Sequence, residues 1–451
     1  MKNEQLLKEY ILAGGLTYYV ITYGCQMNEH ESEKISGILE ELGFKAAAEK
    51  ESADFILFNT CCVRENAEHK TFGNVGAIRK LKDENPHLMV AVCGCMMQQE
   101  ELAQKLRQTF SFVDIIFGTH NIHLLSEMVG ECLLHKHRVF AVCEDDCSIH
   151  ENVPVKRHSW PLASVNIMYG CNNFCTYCIV PYVRGREKSR SAEKVLHEVH
   201  MLEQKGYQEI MLLGQNVNSY DGGDTDFADL LQLICTETSI PCIRFMTSHP
   251  KDLSDKLIDV MALQPRICRH LHLPVQSGST KILAAMNRRY TREQYLALLT
   301  KIRTKIPEIA LTTDVIVGFP GETDDDFEET MSLLRQVRYD SAFTFVYSKR
   351  SGTKAAEMPN EVDKQTQKER IMKLVALQNE ITEEKNREYV GKVVSVLAEG
   401  ISTRDPNHVC GRTSTGKMVN FAGSRDMVGQ FYEVEVTQGK KTTLFGRITQ
   451  E

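Results

Sequence analysis

The sequence lacks the features of a membrane or secreted protein. It contains no apolar run as long as a membrane-spanning helix. Its first residues, MKNEQLLKEYILAGG, have neither a long apolar core nor the small-residue cleavage site of a signal peptide. Excess positive charge is also absent, because the formal net charge is −7, and this argues against a general nucleic-acid coat protein. We expect a cytoplasmic protein with no membrane partner, and one selective RNA partner bound through a local basic patch stays open.

A disulfide framework is not expected either. The chain has 15 cysteines, an odd number, and in a reducing compartment they indicate metal ligation or catalysis. Sequence repeats and low-complexity tracts are absent, and the single tryptophan, Trp160, is interpreted as a packing residue. The length of 451 residues exceeds one ordinary core, so two to four domains are expected.

Four segments differ in their patterns. Residues 16–135 alternate short apolar strands with amphipathic helices, which predicts an α/β domain with a mostly parallel sheet. Residues 136–156 are polar and weakly patterned, as in a linker. Residues 157–386 contain six apolar runs separated by helical stretches, which predicts a partial parallel (β/α)6 barrel. After a long helix, residues 387–451 predict a small all-β barrel or sandwich.

The middle segment opens with three cysteines, Cys171, Cys175 and Cys178, and no fourth follows nearby. A structural zinc site needs four ligands, and an electron-carrier cluster usually takes four cysteines. Three thiolates hold a 4Fe–4S cluster by three irons and leave the fourth iron open to a small chelating ligand. This C-x3-C-x2-C spacing is the signature of radical S-adenosylmethionine (SAM) enzymes. Tyr177, directly before the last cysteine, is the aromatic residue that in those enzymes bounds the adenine of SAM.

Polar residues at the strand ends of this segment support the same interpretation. The fifth strand, in DVIVGFPGE, resembles the glycine-rich region that contacts SAM in radical-SAM enzymes. Asp314 lies in that strand, and a buried acid needs a partner, so a contact with SAM or a substrate hydroxyl is expected. The histidines His249 and His272 are interpreted as structural. The expected SAM-binding residues are Tyr177, Gln215, Asn216, Gln276, Ser277 and Asp314.

A second set of cysteines lies in the first segment. Cys25, Cys61 and Cys95 each end a predicted strand, so they can converge on one site that again has three ligands. Cys62 and Cys93 are close neighbours of two of them. Because adjacent or alternate residues of an extended stretch point in different directions, the spacing leaves open which cysteine of each pair is the ligand.

Motifs along nearly the whole chain, residues 16–451, resemble the methylthiotransferase family of radical-SAM enzymes. They include YGCQMNEHESE, NTCCVRENAEHK, GCMMQQEE, YVRGREKSR, LLGQNVNSY, TSHPKDL, HLPVQSGS, MNRRYTRE and GFPGETDDDF. The resemblance implies an N-terminal methylthiotransferase domain, a radical-SAM core and a C-terminal TRAM domain. It assigns Cys25, Cys61 and Cys95 to an auxiliary 4Fe–4S cluster and leaves Cys62 and Cys93 as bystanders. The cysteines that match no ligand of the family are interpreted as structural: Cys132, Cys143, Cys147, Cys235, Cys242, Cys268 and Cys410.

The resemblance also implies a reaction. Reduction of the cluster at the C-x3-C-x2-C motif cleaves SAM, and the resulting radical removes hydrogen from C2 of N6-isopentenyladenosine next to the tRNA anticodon. The auxiliary cluster supplies sulfur, and a second SAM supplies the methyl group. The implied partners are the anticodon stem-loop of tRNA and an external electron donor, flavodoxin-like or ferredoxin-like. We expect a monomer.

Two groups of basic residues are the candidate RNA contacts, one just after the C-x3-C-x2-C motif and the other at Arg288 and Arg289. The tail from residue 387 is also slightly basic. Two alternatives stay open at this stage. One is a sister methylthiotransferase that acts on threonylcarbamoyladenosine in tRNA or on an aspartate of a ribosomal protein. The other is a non-catalytic iron–sulfur protein that binds RNA or transfers electrons. The candidate RNA contacts are Arg184, Arg186, Lys188, Arg190, Arg288 and Arg289.

Overall fold

A computed structural model describes residues 2–62, 65–142 and 148–449 of the chain. These residues form two compact units. Cys143 and Cys147, interpreted above as structural, lie outside the described residues. Within the described ranges, no helix has the length and apolar character needed to cross a membrane. The first unit contains residues up to 158 with 169–172 and 179–188, and the second contains 159–168, 173–178 and the residues from 189 onward.

The first unit is built on a six-stranded sheet in which all neighbouring strands are parallel. The sheet order is β2-β1-β3-β4-β5-β6. Every residue of β3 and β4 is buried, which explains their continuous apolar sequences. The α/β prediction is confirmed. The strands are β1 (Thr17–Thr22), β2 (Lys45–Ala46), β3 (Phe55–Thr60), β4 (Met89–Gly94), β5 (Ile115–Phe117) and β6 (Val139–Ala141).

Helices connect these strands. Helix α2 begins directly after Cys25, and most of its polar side chains are buried. Helix α1 precedes the predicted domain, and its Leu7 and Ile11 lie in the same apolar cluster as Leu39 of α2. The helices are α1 (Lys2–Gly14), α2 (Gln26–Glu41), α3 (Glu65–Ala77), α4 (Arg79–Glu84), α5 (Glu100–Thr109), α6 (Leu125–His135) and the short α7 (Val180–Val183).

The second unit contains the six predicted strands of the partial barrel. They form two three-stranded parallel sheets, β11-β10-β7 and β12-β13-β14. Strand β10 is buried throughout. The six apolar runs thus correspond to strands, as predicted. The strands are β7 (Leu162–Asn166), β10 (Glu209–Leu213), β11 (Cys242–Phe245), β12 (His270–His272), β13 (Ala310–Val317) and β14 (Ser341–Val346). The short strands β8 (Met168–Tyr169) and β9 (Lys188–Ser189) each have one residue in either unit.

The helices of this unit have well-formed N-termini. Asp226, Thr291 and Thr323 each form a reciprocal capping box, which satisfies two backbone N–H groups of the first turn. The long predicted helix is α14, whose first turn is capped by Asp363. The helices are α8 (Ala192–Gln204), α9 (Phe227–Glu237), α10 (Asp255–Leu263), α11 (Thr280–Ala285), α12 (Arg292–Lys305), α13 (Asp324–Val337) and α14 (Lys364–Arg387).

The C-terminal strands close into a five-stranded barrel in the order β15-β16-β17-β19-β18. Its core is a compact apolar cluster that includes Val396, Val419 and Phe421. The prediction of a small all-β domain is confirmed, and of its two alternatives the barrel is correct. The strands are β15 (Val393–Ile401), β16 (His408–Thr413), β17 (Met418–Ala422), β18 (Phe431–Gly439) and β19 (Leu444–Ile448).

Candidate functional site

Three of the predicted ligand cysteines follow three neighbouring strands of the first unit. Cys61 follows β3, Cys95 follows β4 and Cys25 follows β1, and the carboxyl ends of parallel strands meet at one edge of a sheet. A Cβ placed on Gly24 would lie 2.5 Å from the Cβ of Cys61. The Oδ1 atom of Asn28 lies 3.9 Å from the Sγ atoms of both Cys25 and Cys95. These contacts bring the three cysteines into one corner of the unit.

The neighbouring cysteines have different surroundings. Cys93 lies within β4 and packs in the apolar core, where burial raises the pKa of its thiol. Cys62 packs against Cys95 and shares a side-chain hydrogen bond with it. This bond lowers the pKa of Cys95, and the charge of Arg184 acts in the same direction. Cys95 is therefore favoured as a thiolate, the form in which cysteine binds metal.

The donor set of this corner fits a three-cysteine cluster. Thiolates are the ligands that iron–sulfur clusters use, and Cys25, Cys61 and Cys95 offer one each from separate strand ends. Cys25 is exposed, whereas Cys61 and Cys95 are buried. The corner thus has one side open to a reaction partner, as a cluster with an uncoordinated iron requires.

Arg184, predicted as an RNA contact, lies in this corner and is buried. Its side chain is 6% exposed and forms a bidentate ion pair with Glu31, at 2.6 and 3.1 Å. Its Nε–H donates to the Sγ of Cys95 at 3.1 Å, and an Nη2–H donates to the Oδ1 of Asn28 at 3.0 Å. A guanidinium enclosed in this way has its donors directed at protein acceptors, so its surroundings give no support to the predicted phosphate contact.

Asn28 and Glu31 were not identified from the sequence. Both lie on α2 within two turns of Cys25, and Asn28 also donates hydrogen bonds to the carbonyl oxygens of Tyr23 and Thr60, each at 2.9 Å. Asn28 thus ties together the loops that follow β1 and β3. The only signal was the polar run NEHESE directly after a candidate ligand, which resembles a solvated helix face.

The cysteines of the C-x3-C-x2-C motif are divided between the two units. In the first unit, the backbone N–H of Cys171 donates to the carbonyl oxygen of Gly185 at 3.1 Å. In the second unit, the N–H of Cys178 donates to the carbonyl oxygen of Cys175 at 2.9 Å. The prediction that Cys171, Cys175 and Cys178 share a cluster rests on their spacing in the chain and on their soft thiolate chemistry.

Within the second unit, a second predicted RNA contact is buried. Arg288 is 4% exposed and donates to the Sγ of Cys175 at 3.4 Å, to the carbonyl oxygen of Pro274 at 2.7 Å and to the hydroxyl of Tyr290 at 3.0 Å. Tyr177 packs in an apolar cluster that includes Phe319. The surroundings of Arg288 give no support to its prediction as a surface phosphate contact.

Gln215, Asn216, Gln276 and Ser277 follow β10 and β12, and Asp314 lies within β13. Several of these predicted SAM-binding residues are bonded within the protein. Asn216 follows β10 and donates to a carboxylate oxygen of Asp252 at 2.7 Å. The hydroxyl of Ser277, fully buried, accepts from the N–H of Ser279. Asp314 lies 3.4 Å from the Nε2 of His272, so the partner that its carboxylate required is a histidine.

The loops after β10 and β11 carry buried polar atoms that the described residues leave without a hydrogen-bond partner. They are the Oδ1 of Asn216, both side-chain polar atoms of Asn218, the hydroxyl of Ser248 and the Nε2 of His249. The N–H of Val217 donates to the carbonyl oxygen of Thr247, so the two loops adjoin. Because buried polar groups nearly always have partners, these atoms fit a polar ligand such as SAM.

Gln215 and Gln276 occupy the ends of two different strands. Gln215 lies two residues beyond β10 and is half-buried. Gln276 has a φ of 72° and its carbonyl oxygen accepts from the N–H of Ile316 in β13. Their roles as SAM contacts stay predictions.

The remaining basic candidates differ in exposure. Arg190 is buried, donates to the carbonyl oxygen of Asn166 at 2.7 Å and pairs with Glu198 at 2.6 Å, so its surroundings likewise give no support to a phosphate contact. Arg186, Lys188 and Arg289 are exposed. A pocket of the first unit includes Arg186 and Lys188 among its lining residues, together with Lys34, Tyr169 and three histidines.

Comparisons with known proteins cover the whole chain. Three families match: the Radical SAM superfamily over residues 165–334, the TRAM domain over residues 387–449, and the family described as "Uncharacterized protein family UPF0004" over residues 17–118. Curated relatives match from end to end. A tRNA-2-methylthio-N(6)-dimethylallyladenosine synthase of Thermoanaerobacter sp. is 51% identical over 100% of this chain and 97% of its own. The protein of the same name from Carboxydothermus hydrogenoformans is 53% identical over 95% of this chain and 98% of its own.

Solved structures show a similar fold at low identity. The radical S-adenosylmethionine methyltransferase TsrM from Kitasatospora setae, with tryptophan substrate and a SAM analogue bound, is similar with a TM-score of 0.57 and 14% identity. The similarity covers 76% of this chain and 75% of that one. The same methyltransferase with cobalamin and a [4Fe-4S] cluster bound gives a TM-score of 0.56.

Proposed function

We propose that this chain adds a methylthio group to C2 of N6-isopentenyladenosine next to the anticodon of tRNA. The chain belongs to the family of tRNA-2-methylthio-N(6)-dimethylallyladenosine synthases. The observation that carries the proposal is the convergence of Cys25, Cys61 and Cys95 at neighbouring strand ends, in a chain that also carries the C-x3-C-x2-C motif. Radical generation and sulfur donation are two different tasks, and two sets of three cysteines match them.

Each set of residues has a separate role in this proposal. Cys171, Cys175 and Cys178 hold the 4Fe–4S cluster that binds SAM, and Cys25, Cys61 and Cys95 hold the auxiliary 4Fe–4S cluster. When bound, these groups supply an electron for SAM cleavage and the sulfur that is transferred, and a second SAM supplies the methyl group. The chain itself provides acceptors and donors for SAM at the Oδ1 of Asn216, both side-chain polar atoms of Asn218, the Oγ of Ser248 and the Nε2 of His249, which lack protein partners among the described residues.

The RNA is bound by exposed basic residues. Arg186 and Lys188 contribute to a pocket with Lys34 in the first unit, and Arg289 is exposed in the second. Bases of an anticodon loop are partly unstacked, so the target adenine reaches a recessed site at low cost. We assign the auxiliary cluster to residues 16–135, the radical-SAM core to residues 157–386 and further RNA contact to the β-barrel within residues 387–451.

The remaining partners follow from this chemistry. The clusters require an external one-electron donor, flavodoxin-like or ferredoxin-like. We expect the protein to act as a monomer in the cytoplasm, where its tRNA substrate is found. Light scattering of the purified protein tests the expected monomeric state, because a dimer would have twice the mass of 51.2 kDa.

Mass analysis of tRNA from cells with and without the gene tests the substrate. We expect the methylthio group to be lost only from isopentenylated adenosine. Loss from threonylcarbamoyladenosine, or from a ribosomal-protein aspartate, would establish a sister activity and refute the proposed substrate.

Anaerobic reconstitution tests the enzyme class. We expect about eight irons per chain, because each cluster of this type holds four, and formation of 5′-deoxyadenosine from SAM. About four irons, or an absence of SAM cleavage, would refute the two-cluster enzyme and favour an iron–sulfur protein without this activity.

A further inference from the structure

We propose that Arg184 is a positioning residue of the auxiliary cluster site, where its Nε–H donates a hydrogen bond to the Cys95 sulfur and makes the bound cluster easier to reduce. The inference rests on the proposed function, because it takes Cys25, Cys61 and Cys95 as the cluster ligands. It assigns Arg184 to sulfur chemistry in place of the RNA contact expected from the sequence.

The direction of the Nε–H bond is fixed by the rest of the guanidinium. Glu31 accepts from both Nη atoms, and Asn28 accepts a further hydrogen bond from Nη2. A bidentate carboxylate sets the plane of a guanidinium, so the Nε–H has one orientation, toward the Cys95 sulfur at 3.1 Å. A lysine ammonium has no such planar fork, so it would not reproduce this geometry.

Stability alone does not account for this ion pair. The Arg184 and Glu31 side chains are 6% and 5% exposed, and the desolvation of such a pair often cancels its attraction, so that apolar residues of similar volume are equally stable. What the pair provides is a directed N–H group that adds no net charge beside the sulfur. Hydrogen bonds to the sulfur atoms and the net charge near a cluster both set its reduction potential. A donor to sulfur favours the more negative, reduced state.

The chain offers a matched control on the same helix. Arg157 pairs with Glu33 at 3.1 Å, and both side chains are 10% exposed. Its guanidinium also contacts the ring nitrogen of His30 at 3.1 Å. Removing Arg157 therefore breaks a buried ion pair of α2 without removing the Nε–H donor to Cys95.

The experiment measures the auxiliary cluster by itself, in the full-length chain with the C-x3-C-x2-C cysteines replaced by alanine. The protein is reconstituted anaerobically with iron and sulfide. Iron content and the midpoint potential of the cluster are then determined by a redox titration followed by electron paramagnetic resonance, without SAM or RNA. The variants compared with this parent are R184M, E31Q, R184M/E31Q and the control R157M.

We expect the midpoint potential to fall in the order E31Q, parent, R184M/E31Q, R184M. E31Q leaves the positive charge of Arg184 beside the sulfur, which raises the potential. R184M/E31Q removes the N–H donor and leaves the net charge unchanged, which lowers the potential. R184M removes the donor and also leaves the negative charge of Glu31 unpaired, which lowers the potential further. R157M should match the parent. If the unpaired charge of Glu31 in R184M prevents cluster assembly, the double variant still tests the inference.

Two results would overturn the inference. One is a double variant with the potential of the parent, and the other is an R157M shift as large as that of R184M. A parent that binds no cluster would refute the proposed ligand set, and the inference with it. A cluster whose potential is independent of Arg184 would refute the inference alone.

Discussion

Replacing Glu322 by alanine should destabilise the second unit strongly, because this carboxylate is buried beside a buried arginine. The Glu322 side chain is 0% exposed, and its Oε2 accepts from Arg370 at 2.7 Å and from the N–H of Gly318 at 2.7 Å. Removing one partner of a buried ion pair costs about 3–5 kcal/mol when the other charge stays desolvated, and here Arg370 would keep only the exposed Asp324 as a carboxylate partner. With a urea dependence of roughly 1–3 kcal/mol per molar, the unfolding midpoint should fall by about 1–5 M.

The same arginine supplies the control. Arg370 also pairs with Asp324 at 2.8 Å, but the Asp324 side chain is 92% exposed, and exposed ion pairs contribute little. D324A should therefore leave the midpoint nearly unchanged. The fluorescence of Trp160, the single tryptophan, reports on the second unit in a urea titration of the apoprotein. Equal midpoints for E322A and D324A would refute the reasoning from burial.

Three further outcomes are expected. Replacing Cys61 by alanine should reduce the reconstituted iron from about eight to about four per chain, whereas C62A should retain about eight; iron loss in C62A would overturn the ligand assignment. Burial lowers the pKa of His270 to about 3, so its neutral state contributes stability that is complete above pH 6.5 and is lost as the pH falls toward 3. The free energy of unfolding should decrease by about 1 kcal/mol between pH 6.5 and 5.5 from this residue, and H270Q should show a shallower pH dependence in urea titrations at the two values. Replacing Arg186 and Lys188 by alanine should weaken tRNA binding and reduce its logarithmic salt dependence by about one per lost phosphate contact; an unchanged slope in filter-binding assays would contradict their role.

Long buried strands were the elements that the sequence predicted well. The runs around Phe58 and Val92 are continuous and apolar, and both became central strands. Strands β2, β5 and β6 were not predicted individually, because they have only two or three residues and too few side chains to show a period. Helix α1 was missed because its apolar positions are mixed with exposed Leu6 and Tyr10.

The candidate site was predictable where a spacing carried the chemistry. Cys25, Cys61 and Cys95 were proposed because each follows a strand, and parallel topology brings such positions together. The partner of Asp314 could not be predicted, since His272 belongs to the neighbouring strand β12 and only the pairing of β12 with β13 brings the two side chains within 3.4 Å. A contact of this kind depends on sheet order, which one sequence does not contain.

The burial of three of the six basic candidates has one physical cause. The run VRGREKSR has the composition of a solvated, phosphate-binding stripe, but whether an arginine is exposed depends on the acceptors that the fold places around it. Arg184 donates hydrogen bonds to Glu31, which is 153 residues away in the chain, and to the sulfur of Cys95, which is 89 residues away. Arg288 donates to the sulfur of Cys175, which is 113 residues away in the chain, and its other acceptors are a carbonyl oxygen and a tyrosine hydroxyl. One predicted ligand cysteine in each set thus accepts a hydrogen bond from a buried guanidinium. The charge of Arg184 is balanced by a carboxylate, whereas the guanidinium of Arg288 donates to neutral acceptors. Hydrogen bonds and net charge near the sulfur atoms set the potential of a cluster, so the acceptors around a buried arginine matter more to such a site than the composition of the surrounding run.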